Sequence, residues 1–406
     1  MAATKTYEYS VRDRAGKLAS GKLDAPNEAV LVTKLKAMGY APVSVRESGG
    51  GLNKDIELPF GNGVKLKDLA IMSRQFATMI NSGLSLLRAL TILADQTDNK
   101  KLARTLGEVR GEVETGVSLS ASLAKHPEVF PPLMINMIRA GEVGGFLDAV
   151  LLQIAENYEA EVKLRNKVKS AMTYPVVVFV IAILAVIGML LFIVPIFSTM
   201  FADLGGELPA PTKVLVWLSA ALKVTAIPIA VLIVVAVAVW GRVKHLEKVR
   251  NVVDPLSLKM PVFGQLVQKI ALSRFARNLG TMISSGVPIL QALDIVADTT
   301  GNMVLARAIR DVQQSVRQGE SLAGPLNNHP VFPSMVVQML AVGEDTGAMD
   351  TMLHKISEFY DQEVEATTEA LTSLIEPLMI AFLGAIVGAM IVALYMPIFS
   401  VFTLIE

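Results

Sequence analysis

The sequence predicts a mainly α, multi-pass membrane protein. Two homologous cytoplasmic six-helix bundles each lead into a transmembrane helix, and a small N-terminal α+β domain precedes them. Three observations carry this. Gly141, Glu142, Gly145, Asp148, Glu156, Tyr158, Glu161, Pro175, Pro195, Ile196 and Phe197 all recur 202 positions later, from Gly343, Glu344, Gly347 and Asp350 to Pro377, Pro397 and Phe399. Chance does not hold one offset through so many identities, so the chain contains a duplication. Asp, Glu, Lys and Arg then vanish from Ser170 to Ala202, a stretch that can span a bilayer. Outside such stretches, apolar residues such as Phe76, Met79 and Ile80 recur at helical spacing.

Composition agrees. Hydrophobic content of 52% against 18% charged is too apolar for an ordinary soluble protein. The net charge is zero, which gives no bulk attraction to nucleic acid. With no cysteine, disulfides, thiolate metal sites and cysteine nucleophiles are excluded. The N-terminal residues lack an apolar signal-peptide core, so the N-terminus is expected in the cytoplasm.

Residues 1–47 read as the α+β domain. Tyr7, Tyr9 and Val11 alternate as in a half-buried strand, and Asp13 to Lys17 has turn chemistry. Leu18 to Leu23 suits the hairpin partner, Pro26-Asn27-Glu28 opens a helix stopped by Gly39, and Val43 and Val45 suggest a last strand. A glycine-rich linker, 48–64, follows. The first helical domain is 65–173, with helices expected at 65–81, 84–95, 99–115, 118–125, 131–140 and 146–169. The last meets no breaker before Pro175 and should run into the first span, 174–198. Pro195 falls near that span's end. An external loop, 199–221, carries Pro209 and Pro211, and a second span, 222–241, ends at an interfacial Trp240. After a cytoplasmic connector, 242–260, the second helical domain, 261–375, repeats the first. The third span, 376–404, closes the pattern.

Lys163, Arg165, Lys167 and Lys169 precede span one, and Arg242, Lys244, Lys248 and Arg250 follow span two. The positive-inside rule therefore puts both helical domains in the cytoplasm and the C-terminus outside. The second span, without a repeat partner, brings the second repeat back to the side of the first.

Chemical motifs are sparse. Gly16-Lys17 and Gly21-Lys22 lack the spacing of a phosphate loop. No histidine has another at i+3 or i+4, so no metal is expected. The paired His126-Pro127 and His329-Pro330 read as helix stops. No cofactor and no catalytic set can be singled out, which argues against an enzyme. A small transporter or channel is the alternative, and the lack of charge within the spans weighs against it.

Two features remain as sites. The repeated Gly-Glu-x-x-Gly has a structural reading: Gly141 and Gly343 cap a helix with positive φ, and the acids favour the next helix's N-terminus. Its functional reading is a docking or divalent-ion position built from Gly141, Glu142, Gly145 and Asp148, with Gly343, Glu344, Gly347 and Asp350. The third span carries small residues, Ala381, Gly384, Ala385, Gly388 and Ala389, that let helices approach closely, within this chain or between two copies. Pro175, Pro195, Pro377 and Pro397 join these as span-packing positions.

The order of these motifs resembles the type II secretion F family, the inner-membrane platform proteins of type II secretion and type IV pilus machines. Each repeat carries Gly-x-Ser-Leu (Gly116–Leu119, Gly319–Leu322), then His-Pro, then Phe-Pro (Phe130-Pro131, Phe332-Pro333), then Gly-Glu-x-x-Gly. Tyr174-Pro175, Val194-Pro195 and Tyr395-Met396-Pro397 complete the likeness, which covers nearly the whole chain. The resemblance implies a non-enzymatic platform in the bacterial inner membrane. It implies as partners a cytoplasmic hexameric assembly ATPase, a retraction ATPase in retractile machines, pilin or pseudopilin subunits, inner-membrane alignment proteins, membrane lipid, and further copies of the chain, a dimer being favoured. Pilus, secretion and competence machines all remain open.

Overall fold

The computed structural model describes residues 5–12, 18–25, 28–38, 40–47, 63–203, 208–244, 246–261 and 263–402. Most of the linker expected at 48–64, the turn at 13–17, Pro26-Asn27, Gly39 and Glu406 lie outside them.

The chain separates into two compact units, residues 1–62 and 63–406. In the first, β1 (Lys5–Arg12), β2 (Leu18–Ala25), α1 (Glu28–Ala37) and β3 (Ala41–Glu47) follow the expected order. The antiparallel sheet runs β2-β1-β3, with Tyr7 opposite Leu23 and Tyr9 opposite Val45. Leu31 and Leu35, one helical turn apart, bury one side of α1 against Ala25.

The second unit is helical. Its first repeat holds α2 (Leu66–Asn81), α3 (Leu86–Gln96), α4 (Lys100–Glu114), α5 (Leu119–Ala124), α6 (Pro132–Gly144) and α7 (Leu147–Gly188). A π-turn, Met189–Ile193, joins α7 to α8 (Val194–Asp203), and α9 (Ala210–Val243) and α10 (Glu247–Lys259) follow. The second repeat holds α11 (Phe263–Ser284), α12 (Ile289–Thr299), α13 (Met303–Arg317), α14 (Ala323–Leu326), α15 (Ser334–Thr346) and α16 (Met349–Phe402). Local chemistry sets these boundaries. Asn99 caps α4 by accepting the Lys101 and Leu102 amides at 3.1 Å, and Asn302 caps α13 through the Val304 amide. Gly116 and Gly319, at φ 93° and 89°, end α4 and α13 in a conformation that costs other residues strain.

Three helical stretches are long and apolar enough to cross a membrane: Leu147–Phe201, Ala210–Val243 and Met349–Met396. The first continues unbroken from the helical domain into the apolar stretch, as the sequence suggests. Pro175 lies buried inside α7, and Pro377 and Pro397 lie inside α16. The π-turn stands just before Pro195, with the Val194 amide bonded to the Met189 carbonyl. The wider turn accommodates a ring that cannot donate to the ladder.

Two segments differ from expectation. The loop expected at 199–221 is largely helix, because Pro209 is the N-cap of α9 and Pro211 sits in its first turn, where proline is tolerated. The connector expected at 242–260 contains α10, whose Asp254 carboxylate accepts the Met303 amide at the start of α13 (2.8 Å).

Both repeats share one apolar core. It runs from Met72, Phe76, Leu90 and Phe130 through Ile154 and Tyr158 to Phe275, Leu293, Phe332 and Tyr360. Phe275 meets Phe332 edge-on at 5.2 Å.

Candidate functional site

The repeated Gly-Glu-x-x-Gly forms an elbow between α6 and α7, and again between α15 and α16. Gly141 and Gly343 do not cap a helix with positive φ. They lie inside α6 and α15, and the left-handed residues are Gly145 (φ 75°) and Gly347 (φ 70°). The inner glycines serve close approach instead. A Cβ on Gly141 would stand 3.0 Å from Val150 Cγ2, and one on Gly343 would stand 3.0 Å from Met352 Cγ.

The glutamates do not serve the next helix either. Glu142 turns back to α5, where its carboxylate accepts the Leu119 amide at 2.5 Å and the Ser120 amide at 3.0 Å. Ser118 accepts the Ala121 amide from the same end (3.3 Å). Glu344 repeats this on Leu322 (2.9 and 3.0 Å) and Ala323 (3.3 Å), and Ser321 accepts the Gly324 amide. The Gly-x-Ser-Leu and Gly-Glu motifs, 22 to 23 residues apart, are thus two halves of one helix cap. The position at the start of the next helix belongs to Asp148 and Asp350, both exposed in the first turns of α7 and α16.

Past the elbows, each repeat clamps its outgoing helix with an arginine. Arg74 of α2 makes a two-pronged contact with Glu159 of α7, at 2.7 and 2.6 Å. Arg277 of α11 pairs with Asp361 of α16, supported by Ser273. The hydrogen bond from Arg74 holds the Glu159 carboxyl below its ordinary range. Beside each clamp a tyrosine is buried, Tyr158 and Tyr360, and burial pushes both phenols up.

A different set of residues joins the repeats. Asn157 of α7 donates to Asn278 (3.2 Å) and Thr281 (3.3 Å) of α11. Glu161 pairs with Arg274 and reaches Arg277 at 3.8 Å. Gln291 donates to Asn136 (2.7 Å), Lys167 meets Glu365, and Leu164, Leu266, Val364 and Leu371 form an apolar cluster. The sequence reading missed this seam.

In the apolar region the three long helical segments meet through Leu190, Val194 and Leu394, and the buried Thr212 donates to the Ala393 carbonyl. The small-residue stripe largely faces away from this contact. Ala381, Gly384, Ala385 and Ala389 are exposed, and nothing stands within 4 Å of a Cβ placed on Gly384 or Gly388. Among the described residues, no group of three His, Cys, Asp or Glu side chains could hold a metal.

The family model for the type II secretion system (T2SS), protein F, matches residues 72–195 and again 275–397. The model for the N-terminal domain of type II secretion system protein F matches residues 1–46. The chain belongs to the type II secretion system protein F family. Its relatives within that family come from two kinds of machine. The type IV pilus assembly protein PilC of Myxococcus xanthus is 44% identical over 98% of this chain and 95% of its own length. PilC of Thermus thermophilus is 42% identical over 97% of this chain and 98% of its own. The type II secretion system protein F of Vibrio cholerae is 32% identical over 89% of each. The two protein F matches end at Pro195 and Pro397, the same motif in both repeats, and α9 falls in the gap between them.

Proposed function

We propose that this protein F family member is the inner-membrane platform of a type IV pilus or type II secretion machine. It performs no catalysis of its own. It couples a cytoplasmic hexameric assembly ATPase, and a retraction ATPase where the machine retracts, to movement of pilin or pseudopilin subunits between membrane and filament. The names of the relatives support the machine. The observation that carries the coupling is the continuity of α16, 54 residues without a break from the second elbow through the last apolar stretch. At 1.5 Å per residue that is a rod of about 80 Å, long enough to transmit a displacement across the bilayer.

In this reading the N-terminal α+β domain and both six-helix bundles are cytoplasmic and the C-terminus is periplasmic. The elbow surfaces, Gly141 to Asp148 and Gly343 to Asp350, form the docking positions, with the exposed Asp148 and Asp350 as their free charges. The exposed stripe around Gly384 and Gly388 suits a second copy of the chain. A flexible Gly-Gly-Ser-Gly insert between Ser373 and Leu374 tests the coupling. The variant should still co-purify with the ATPase but build no filament. Normal filament assembly with the insert would show that the rod transmits nothing.

A further inference from the structure

Where α7 leaves the helical domain, a cleft of 500 Å³ opens between α2, α7 and α11. Five cationic side chains line it: Lys65 and Lys67 at the start of α2, Arg165 and Lys169 on α7, and Arg274 on α11. No carboxylate lines it. Arg274 is paired with Glu161, while Lys65, Lys67, Arg165 and Lys169 have no side-chain ion pair among the described residues. Arg274 Nε is buried without a hydrogen-bond partner. Lys65 is also the N-cap of α2, and its amide donates to the Asp68 carboxylate in the first turn (3.0 Å). Apart from Asn166 the remaining lining is apolar, with Leu66, Val168, Met172 and Ile270.

Position decides what such a cleft can hold. Lys169 precedes Tyr174, the start of the first apolar stretch, by five residues, or about 7–8 Å of helix rise. The headgroup layer on each face of a bilayer is about 5–7 Å deep, so the upper rim lies at headgroup level. Orientation by positive charge needs basic residues on this flank, but it does not need them gathered in a cleft over an apolar floor. The fold of the repeat does not need them either: 202 positions on, Lys163, Arg165, Lys167 and Lys169 become Glu365, Thr367, Glu369 and Leu371.

We infer that this cleft binds the phosphate headgroup of an anionic phospholipid, with the adjoining acyl segment against Val168 and Met172. The site lies where α11 of the second repeat packs against the first, its α7 cations have no basic counterparts 202 positions on, and one lipid there would tie α2 and α11 to the root of α7. It does not depend on the identity of the cytoplasmic partners.

The test uses the full-length protein in neutral detergent, titrated with dioctanoyl phosphatidylglycerol, dioctanoyl phosphatidylcholine or inorganic phosphate. Bound molecules are counted by native mass spectrometry. One saturable phosphatidylglycerol per chain, held at least about tenfold tighter than phosphatidylcholine, is expected. A basic residue near an anionic headgroup is worth about a factor of five, so Lys65→Gln/Arg165→Gln/Lys169→Gln should weaken binding about a hundredfold. Arg88→Gln/Arg104→Gln/Arg317→Gln, at exposed positions that do not line the cleft, should leave it unchanged. If the cleft variant melts lower than the parent, Lys169→Glu alone, at an exposed position, replaces it and should still weaken binding at least tenfold. Equal binding of the two lipids, or parental affinity in the cleft variants, overturns the inference. So does phosphate, or an added oligoglutamate, displacing the lipid at comparable concentration, since the cleft would then be a site for soluble anions or acidic peptides.

Discussion

Replacing Glu142 with alanine should loosen one short helix and leave the rest of the domain in place. In the folded protein its carboxylate accepts the Leu119 and Ser120 amides, and both residues are buried. Alanine leaves those amides without an acceptor at the start of α5. A hydrogen bond to a charged group is worth about 1.5–3 kcal/mol, and a stranded buried donor costs about 1–3 kcal/mol. Water reaches part of this half-buried site, so a total of about 2–4 kcal/mol is expected for the pair. Hydrogen exchange at Leu119 and Ser120 should then speed up about 30- to 700-fold, at about 1.4 kcal/mol per tenfold. Exchange in α2, where Phe76 and Ala77 sit in the shared core, should change little. Glu142→Gln keeps one acceptor and should lose about half as much. Glu344→Ala should cost less, because Glu344 is exposed and α14 has only four residues. Unchanged exchange at Leu119 and Ser120 in Glu142→Ala would refute the cap, and a filament defect in that variant would then point to direct docking by the carboxylate.

Further outcomes follow from the same geometry. Gly141→Ala and Gly343→Ala should each destabilise by about 1–3 kcal/mol in thermal or urea unfolding, because each added methyl meets a side chain at 3.0 Å and a backbone Cα at 3.2 or 3.1 Å. Glu159, held low by Arg74, contributes stability that is present above its unfolded pKa and lost as pH falls through its lower folded value. The pair is 38% and 45% exposed, so removing it by Glu159→Gln should flatten the acid limb of the stability profile by less than about 1 kcal/mol; an unchanged limb would show that the pair adds nothing. Gly384→Ile and Gly388→Ile should reduce crosslinked oligomers in membranes, while Val387→Ile and Val392→Ile should not. Equal yields for all four variants would exclude the stripe as a chain-to-chain interface.

Much of this protein is legible in one sequence because the sequence states it twice. Repetition located both elbows, both apolar helical continuations and the unmatched α9. What it could not give was the reason for a repeated residue. A glycine kept for close approach and one kept for positive φ look alike in a string, so the sequence suggests for Gly141 the positive φ that Gly145 adopts. The partner of Glu142 lies 22 to 23 residues back, on a helix too short to show periodicity. Pro209 and Pro211 suggest a loop in the sequence, because proline breaks a helix in its middle yet opens one at its start, as here in α9.

The repeat also carries a signal of how its two copies join. Residues that answer each other across the duplication make contacts inside their own repeat: Arg74 with Glu159 and Arg277 with Asp361, or Glu142 on α5 and Glu344 on α14. Much of the seam between repeats uses positions where the copies differ, although Thr281 is answered by Thr78 and Val364 by Val162. Asn157 is answered by Phe359, Asn278 by Gln75 and Arg274 by Ile71, and Ile71 is left exposed. Glu161 and Glu363 are the same residue with different partners, Arg274 across the seam and Lys269 within the repeat. Two copies can join in only one way within a chain, so the face that meets its neighbour must diverge from the face that does not. In this duplicated chain the contacts made twice therefore mark the folding unit, and substitutions such as Arg274 for Ile71 and Asn157 for Phe359 mark the surface by which the units are joined.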